Sequence, residues 1–338
     1  MSKKFRFMPA VAALGLSISL FGAAPKADAQ IVVMGGNPEG SLFYAKSQAL
    51  ASTISKYTDV RVDVLPQSST VYFPMFMTQE VDVGLSSPLE AYSAFNAEGL
   101  YEGVNDGEGY PLSTLMLGSP IGLSIVVRAD SDIETLQDLK GKRVVMDYGA
   151  FASSSITAEA ALANGGLTAE DVQVVSASSY PEGVNAVIEG RADGAVGSLG
   201  SGILQQLNAS NGARLLSVDP SDEAMARTQE AGPAFVPHEV EAGPVGVNED
   251  SHLLGYAITL YARPDLSDET VRTILQTIWD NHEELATIHP SLATWTPDRF
   301  ASTQTQVPYH PAAVEFYKEK GVWTDEIDAR NSEISVPQ

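Results

Sequence analysis

Short apolar runs, glycine- or serine-rich turns and helix-length amphipathic stretches alternate along almost the whole chain, and no other feature restricts its fold as much. Strands that alternate with helices lie parallel, because each crossover helix returns the chain to the same end of the sheet. The first unit runs from an apolar strand at 31–34, through a turn holding Gly35, Gly36 and Gly40, into a helix over 41–57. Val60 to Leu65 alternates apolar and polar residues, the period of a strand with one buried face; a short helix (71–79) and a strand (81–85) complete a βαβαβ unit. A second unit repeats the grammar: strand 143–146, a Gly/Ala/Ser turn at 149–155, a helix stopping at Gly165-Gly166, strand 172–176, helix 181–189 and strand 195–198. Two such units imply two α/β lobes, each a mixed, mainly parallel sheet flanked by helices. The chain crosses between them near 118–126 and again in the Gly/Pro-rich stretch 243–256, so lobe 1 comprises 30–122 with 253–338 and lobe 2 comprises 123–252. Two crossings make a hinge, and closure about a ligand is the expected motion. Residues 96–112, rich in Gly and acids, read as a surface excursion.

Ahead of this pattern, Lys3, Lys4 and Arg6 precede an apolar stretch over 8–24, and Ala27-Asp28-Ala29 supplies the small residues a signal peptidase reads. The expectation is a cleaved leader (1–29), a mature chain from Gln30, and a periplasmic location. With no cysteine there is neither a disulfide nor an acceptor for a lipid anchor. The net charge is −23, and loss of Lys3, Lys4, Arg6, Lys26 and Asp28 leaves the remainder more acidic still. Such a surface repels nucleic acid and anionic lipid, which excludes both as partners, and the chain is expected to act as a monomer. It also repels an anionic solute at long range, so an acid-binding cleft must work through local dipoles.

Catalysis finds little support. His238, His252, His282, His289 and His310 are scattered without metal-ligand spacing, and Gly197-Ser198-Leu199-Gly200 is one residue short of a nucleophile elbow. The Gly35–Gly40 turn opens a helix but lacks dinucleotide spacing. A binding protein without catalytic residue, metal or cofactor is expected. The turns at strand ends carry more information. Gly36, Asn37 and Ser41 in the first turn, and Ser153, Ser154 and Ser155 in the later one, stand where helix starts leave N–H groups unpaired, a setting that accepts a carboxylate without a basic side chain. The same serines also serve as ordinary N-caps. Gln67, Ser69, Thr70, Ser87 and Ser198 end further strands on the same rim, either as hydrogen-bonding partners of a ligand or as turn formers. Tyr44, Phe73, Tyr148 and Phe151 flank these turns as pocket walls or as core aromatics. Glu39 suits a helix N-terminus and also a ligand ammonium.

Several strings resemble a known family. Gly40-Ser41-Leu42-Phe43-Tyr44, Asp138-Leu139-Lys140-Gly141-Lys142-Arg143-Val144, Gly190-Arg191-Ala192-Asp193-Gly194-Ala195 and the late Val307-Pro308-Tyr309-His310-Pro311-Ala312-Ala313 with Tyr317-Lys318-Glu319-Lys320-Gly321 are similar to segments of the TAXI-type solute receptors of TRAP transporters. The resemblance implies a type II periplasmic binding protein fold, a small carboxylate-bearing solute held between the lobes, and delivery to a sodium-coupled TRAP permease. By position it implies contacts at Gly36, Ser41, Tyr44, Thr70, Ser87 and the 152–155 turn. A sensing module docked on a receptor kinase and an ABC-type substrate receptor are the alternatives. Where the family has an amide, this chain has Phe73, and the usually Gly-rich lobe-2 turn carries Phe151. A rigid or apolar acid is therefore expected rather than glutamate.

Overall fold

The computed structural model describes residues 30–149 and 151–335, together with Met1; the expected leader lies outside the described residues. The described residues form ten strands: β1 (Gln30–Gly35), β2 (Val60–Leu65), β3 (Val83–Ser86), β4 (Ser113–Arg128), β5 (Arg143–Asp147), β6 (Gln173–Ser176), β7 (Gly194–Ser198), β8 (Ala213–Leu215), β9 (Val236–Val240) and β10 (Ser251–Ala262). The helices that concern the site are α1 (Leu42–Tyr57), α2 (Ser69–Met77), α3 (Pro88–Phe95), α4 (Ala152–Asn164), α5 (Tyr180–Ile188) and α6 (Gly202–Asn211).

The strand order is β2-β1-β3-β10-β4-β7-β5-β6, with β8 beside β4 and β9 beside β10. Both ends of this order obey one rule. β2, β1 and β3 are mutually parallel and are followed by antiparallel β10; β6, β5 and β7 are parallel and are followed by antiparallel β4. The repeated grammar of the sequence thus becomes a repeated sheet, and the fold is a two-domain α/β arrangement. The two domains meet along β4 and β10, which are longer than their apolar cores at 123–127 and 256–261 suggest, because each strand pairs in both halves. β10 pairs with β9 through Ser251–Gly255 and with β3 through Thr259–Ala262. Its register against β4 shifts between Ala257 and Thr259, where Gly118 and Ser119 make a bulge.

Local chemistry explains the elements around the rim. Ser41 caps α1, with its Oγ accepting from Tyr44 N at 3.1 Å and donating to Pro38 O at 2.7 Å. The face of α1 that packs on the sheet carries Leu42, Phe43, Ala49, Leu50 and Ile54 at helical spacing. The ring of Tyr72 lies across β1 and β3. A Cβ on Gly35 or on Gly84 would come within 2.5 Å of it, so these positions exclude any side chain. The excursion at 96–112 is more than surface. Tyr101 and Leu112 are buried in a second apolar cluster with Tyr72, Phe73, Phe76 and Tyr261.

Candidate functional site

The C-terminal ends of the parallel strands of both halves face one another, and a small cavity lies between them. From one half come Ser41, Leu42 and Phe43 at the start of α1; from the other come Phe151, Ser153 and Ser154 at the start of α4. Tyr180, Ser198 and Tyr256 close its sides. The space is about 10 Å³, enough for one water, and Ile203 N bonds Gly40 O across the halves at 3.4 Å. An organic ligand therefore has to part these walls to enter.

The two helix starts are not equivalent. At α1 the hydroxyl of Ser41 is spent on the cap itself. α4 has Phe151 at its N-cap and no side-chain cap, so its first-turn N–H groups have no hydroxyl or carboxylate of their own. The hydroxyls of Ser153 and Ser154 make no hydrogen bond to other described residues. Facing them, Ser198 Oγ is buried without a partner, although its N–H donates to Tyr180 Oη at 3.0 Å. Burial pushes the Tyr180 phenol up to about 12 and raises that of Tyr256 too, so both rings are neutral hydrogen-bonding groups. Among the described residues no cationic side chain lines the cavity. Three free hydroxyls, an uncapped helix start and aromatic walls form a setting for an oxyanion on an otherwise apolar body.

Of the residues singled out in the sequence, the structure brings Ser41, Phe151, Ser153, Ser154 and Ser198 to this cavity. It places the others elsewhere. Asn37 is buried and donates through Nδ2 to Leu85 O at 2.7 Å, holding the first turn to β3. A Cβ on Gly36 would meet Val64 Cγ1 at 2.4 Å, so its role is the tight turn. Tyr44 lines a separate surface groove beside His289, and Glu39 is exposed. Gln67 is exposed, and Thr70 Oγ1 pairs with Ser68 Oγ at 2.9 Å. Ser87 caps α3 through a bond from Glu90 N at 3.1 Å. Ser155 Oγ accepts from Tyr148 N at 3.1 Å, and Tyr148 is a fully buried packing residue whose oxygen accepts from Val196 N at 2.7 Å. Phe73 is a core residue against Tyr72, Phe76 and Tyr101, not a cleft wall. The aromatic surface comes instead from Phe43, Phe151, Tyr180 and Tyr256.

Beside the cavity, past the first turn of α4, a groove of about 300 Å³ holds a residue that sequence reading passed over. Glu90 is 1% exposed, and its Oε1 accepts from Tyr101 Oη at 2.7 Å. Burial raises its carboxyl above the ordinary carboxylate range, with the Ser69 and Tyr101 hydroxyls opposing. The signal available in sequence was an acid in the first turn after a rim serine.

Comparison with known proteins places this geometry. PhnD1 from Prochlorococcus marinus, solved in complex with methylphosphonate, superposes with a TM-score of 0.54 over 87% of this chain and 99% of its own, at 12% identity. A binding-protein component of an ABC phosphonate transporter from Pseudomonas aeruginosa superposes with a TM-score of 0.50 over 91% and 96%, at 11% identity. At these identities the likeness shows the fold, the two-domain architecture of periplasmic binding proteins. The profile of the NMT1-like family matches residues 34–321. These findings overturn the assignment to TAXI-type TRAP receptors. The strings behind it, such as Asp138–Val144 and Gly190–Ala195, sit at a lobe entry and a helix-to-strand turn, where a shared fold produces similar sequences. With the match spanning both halves of the molecule, the chain belongs to the NMT1-like family.

Proposed function

We propose that this protein is an exported solute receptor that captures a small oxyanion-bearing organic molecule between its two halves and presents it to an ABC-type membrane transporter. The observation that carries the reading is the start of α4, uncapped and flanked by the free hydroxyls of Ser153 and Ser154, opposite the unpartnered Ser198. Unpaired donors at the meeting line of two domains are costly unless something accepts from them. The bodies that close are 30–122 with 253–338 and 123–252, turning about the bulge in β4 beside Ala257 and Thr259. The acid is a carboxylate, phosphonate or sulfonate, since a helix start and hydroxyls suit all three. Methylphosphonate in the superposable PhnD1 supports this class. Capture and release need no bond chemistry, so no catalytic role is assigned.

Thermal-shift measurements with butanoate, methylphosphonate and methanesulfonate test it. A ligand at ~100 times its dissociation constant stabilises the folded state by about 2.7 kcal/mol, several degrees in melting temperature. Ser153→Ala combined with Ser154→Ala removes both hydroxyls without adding bulk to a cavity of about 10 Å³, so the variant should fold and should lose most of that shift. A full shift in the variant, or no shift with any acid in the parent, would overturn the reading.

A further inference from the structure

Ser87-Pro88-Leu89-Glu90 has the spacing of a capping box, in which the Ser hydroxyl accepts from the Glu N–H and the Glu carboxylate accepts from the Ser N–H. Only the first half is made here, from Glu90 N to Ser87 Oγ at 3.1 Å. The Thr135/Asp138 and Thr168/Asp171 pairs, by contrast, make the second half, with the Thr N–H donating to the Asp carboxylate at 2.9 and 3.0 Å. The Glu90 carboxylate is turned away from its own helix start and held by the Tyr101 hydroxyl, at a position 1% exposed on the wall of the groove between the halves. Tyr101 reaches it only because the 96–112 excursion folds back into the second apolar cluster.

A buried carboxylate without a cation is costly, and none is within ion-pair distance of Glu90 among the described residues. The opposite wall adds Asp147 and Glu159, both exposed, and among the described residues no Lys, Arg or His lines the groove. Ser69 Oγ, buried and without a formed hydrogen bond, lies against the same carboxyl. The serine cavity is next door: Ala152 and Ser155 line this groove while Ser153 and Ser154 line that cavity, and Tyr256, on the cavity wall, lies within the field of Glu90. An anion-accepting pocket and a cation-accepting one therefore stand side by side across one helical turn.

We propose that Glu90 is the specificity residue of the cleft, pairing with a protonated amine carried by the ligand away from its acid group, so that the substrate class is ω-amino acids. This rests on the receptor reading above and adds the second end of the ligand. Burial raises the affinity of this carboxyl for a proton, and an ammonium placed against it competes for the same oxygen atoms, which links capture to pH. The Tyr72, Tyr101 and Tyr256 phenols around Glu90 are held neutral by burial, and Asp147, kept low by its bond from Gly149 N, and Glu159 face the groove from the other half.

The test is calorimetric titration of the mature protein with 4-aminobutanoate and 6-aminohexanoate, each beside butanoate or hexanoate. The parent should bind at least one amino acid tenfold or more tighter than its deaminated partner, and that ratio should grow between pH 5 and 7. Glu90→Gln, which keeps the shape and the bond from Tyr101, should bring the ratio to one and flatten its pH dependence. Equal binding of both members of each pair by the parent overturns the role of Glu90 and leaves the receptor reading standing; a ratio retained in Glu90→Gln does the same. Binding of neither member, with no shift from any other acid, overturns both. Should Glu90→Gln not fold, the pH dependence of the parent's ratio decides alone, and a flat profile overturns the proposal.

Discussion

Lys46 shows what a single side chain can reveal at the residue scale. It lies on the packed face of α1, 1% exposed, with no carboxylate in ion-pair reach among the described residues and its Nζ 5.2 Å from the centre of the Trp295 ring. Burial lowers its ammonium to about 7. The sign follows from linkage. Between pH 7 and 10.5 the unfolded chain holds a proton at this lysine that the folded chain releases, so stability falls as pH drops through that window and levels off below it. Lys46→Met should therefore raise the melting temperature at pH 7 by several degrees and remove most of the gain in stability that the parent shows between pH 7 and 10. Equal melting profiles for the two proteins would overturn this account. Glu90 poses the opposite case, and neither residue was legible in sequence. A lysine on a helix and a glutamate three residues after a serine look like ordinary solvated groups until the fold shows what covers them. The rim serines were legible as candidates, but their hydroxyls could not be sorted. Ser41 and Ser87 serve as caps, Ser198 Oγ is buried without a partner, and the hydroxyls of Ser153 and Ser154 bond no other described residue.

Among the elements, the strands of both parallel units stand where alternation and apolar runs put them, to within two residues. What the pattern missed has physical reasons. α3 spans only eight residues, opening on Pro88 directly after a serine pair, too short for a helical period to register. β4 and β10 run well beyond their apolar cores because long strands shared by two domains are stabilised by neighbours on both sides, which no local window contains. Phe73 was misplaced for a related reason. It falls on the face of α2 that packs against Tyr101 and Tyr110, rings brought in from the 96–112 excursion. The Tyr72 ring across β1 and β3 leads to a direct test. Gly84→Ala puts a methyl where the ring already is, so it should cost about 1–3 kcal/mol, the usual range for overpacking a core. Denaturant unfolding measures it, and an unchanged midpoint would mean that Tyr72 shifts freely. Ligand affinity should be little affected, since Gly84 does not line the cavity.

For the molecule as a whole, the decisive feature is a cavity of about 10 Å³ where a solute belongs. Its two walls are tied across the halves by the bond from Ile203 N to Gly40 O, while Phe151 and Tyr180, 6.2 Å between ring centres, pack within one of them. With the halves this close together, a solute cannot enter by simple collision. Only the open fraction of molecules is competent, so the apparent dissociation constant is the intrinsic one divided by that fraction. The rate of capture should then stop rising with solute concentration and level off at the rate of spontaneous opening, on the microsecond-to-millisecond scale usual for domain motion. Stopped-flow fluorescence from the native tryptophans should show that plateau, and a rate still linear at high concentration would exclude a gated entrance. The narrow space between Ser153, Ser154 and Ser198 thus acts as a clock as well as a lock: it sets how often the receptor samples its surroundings.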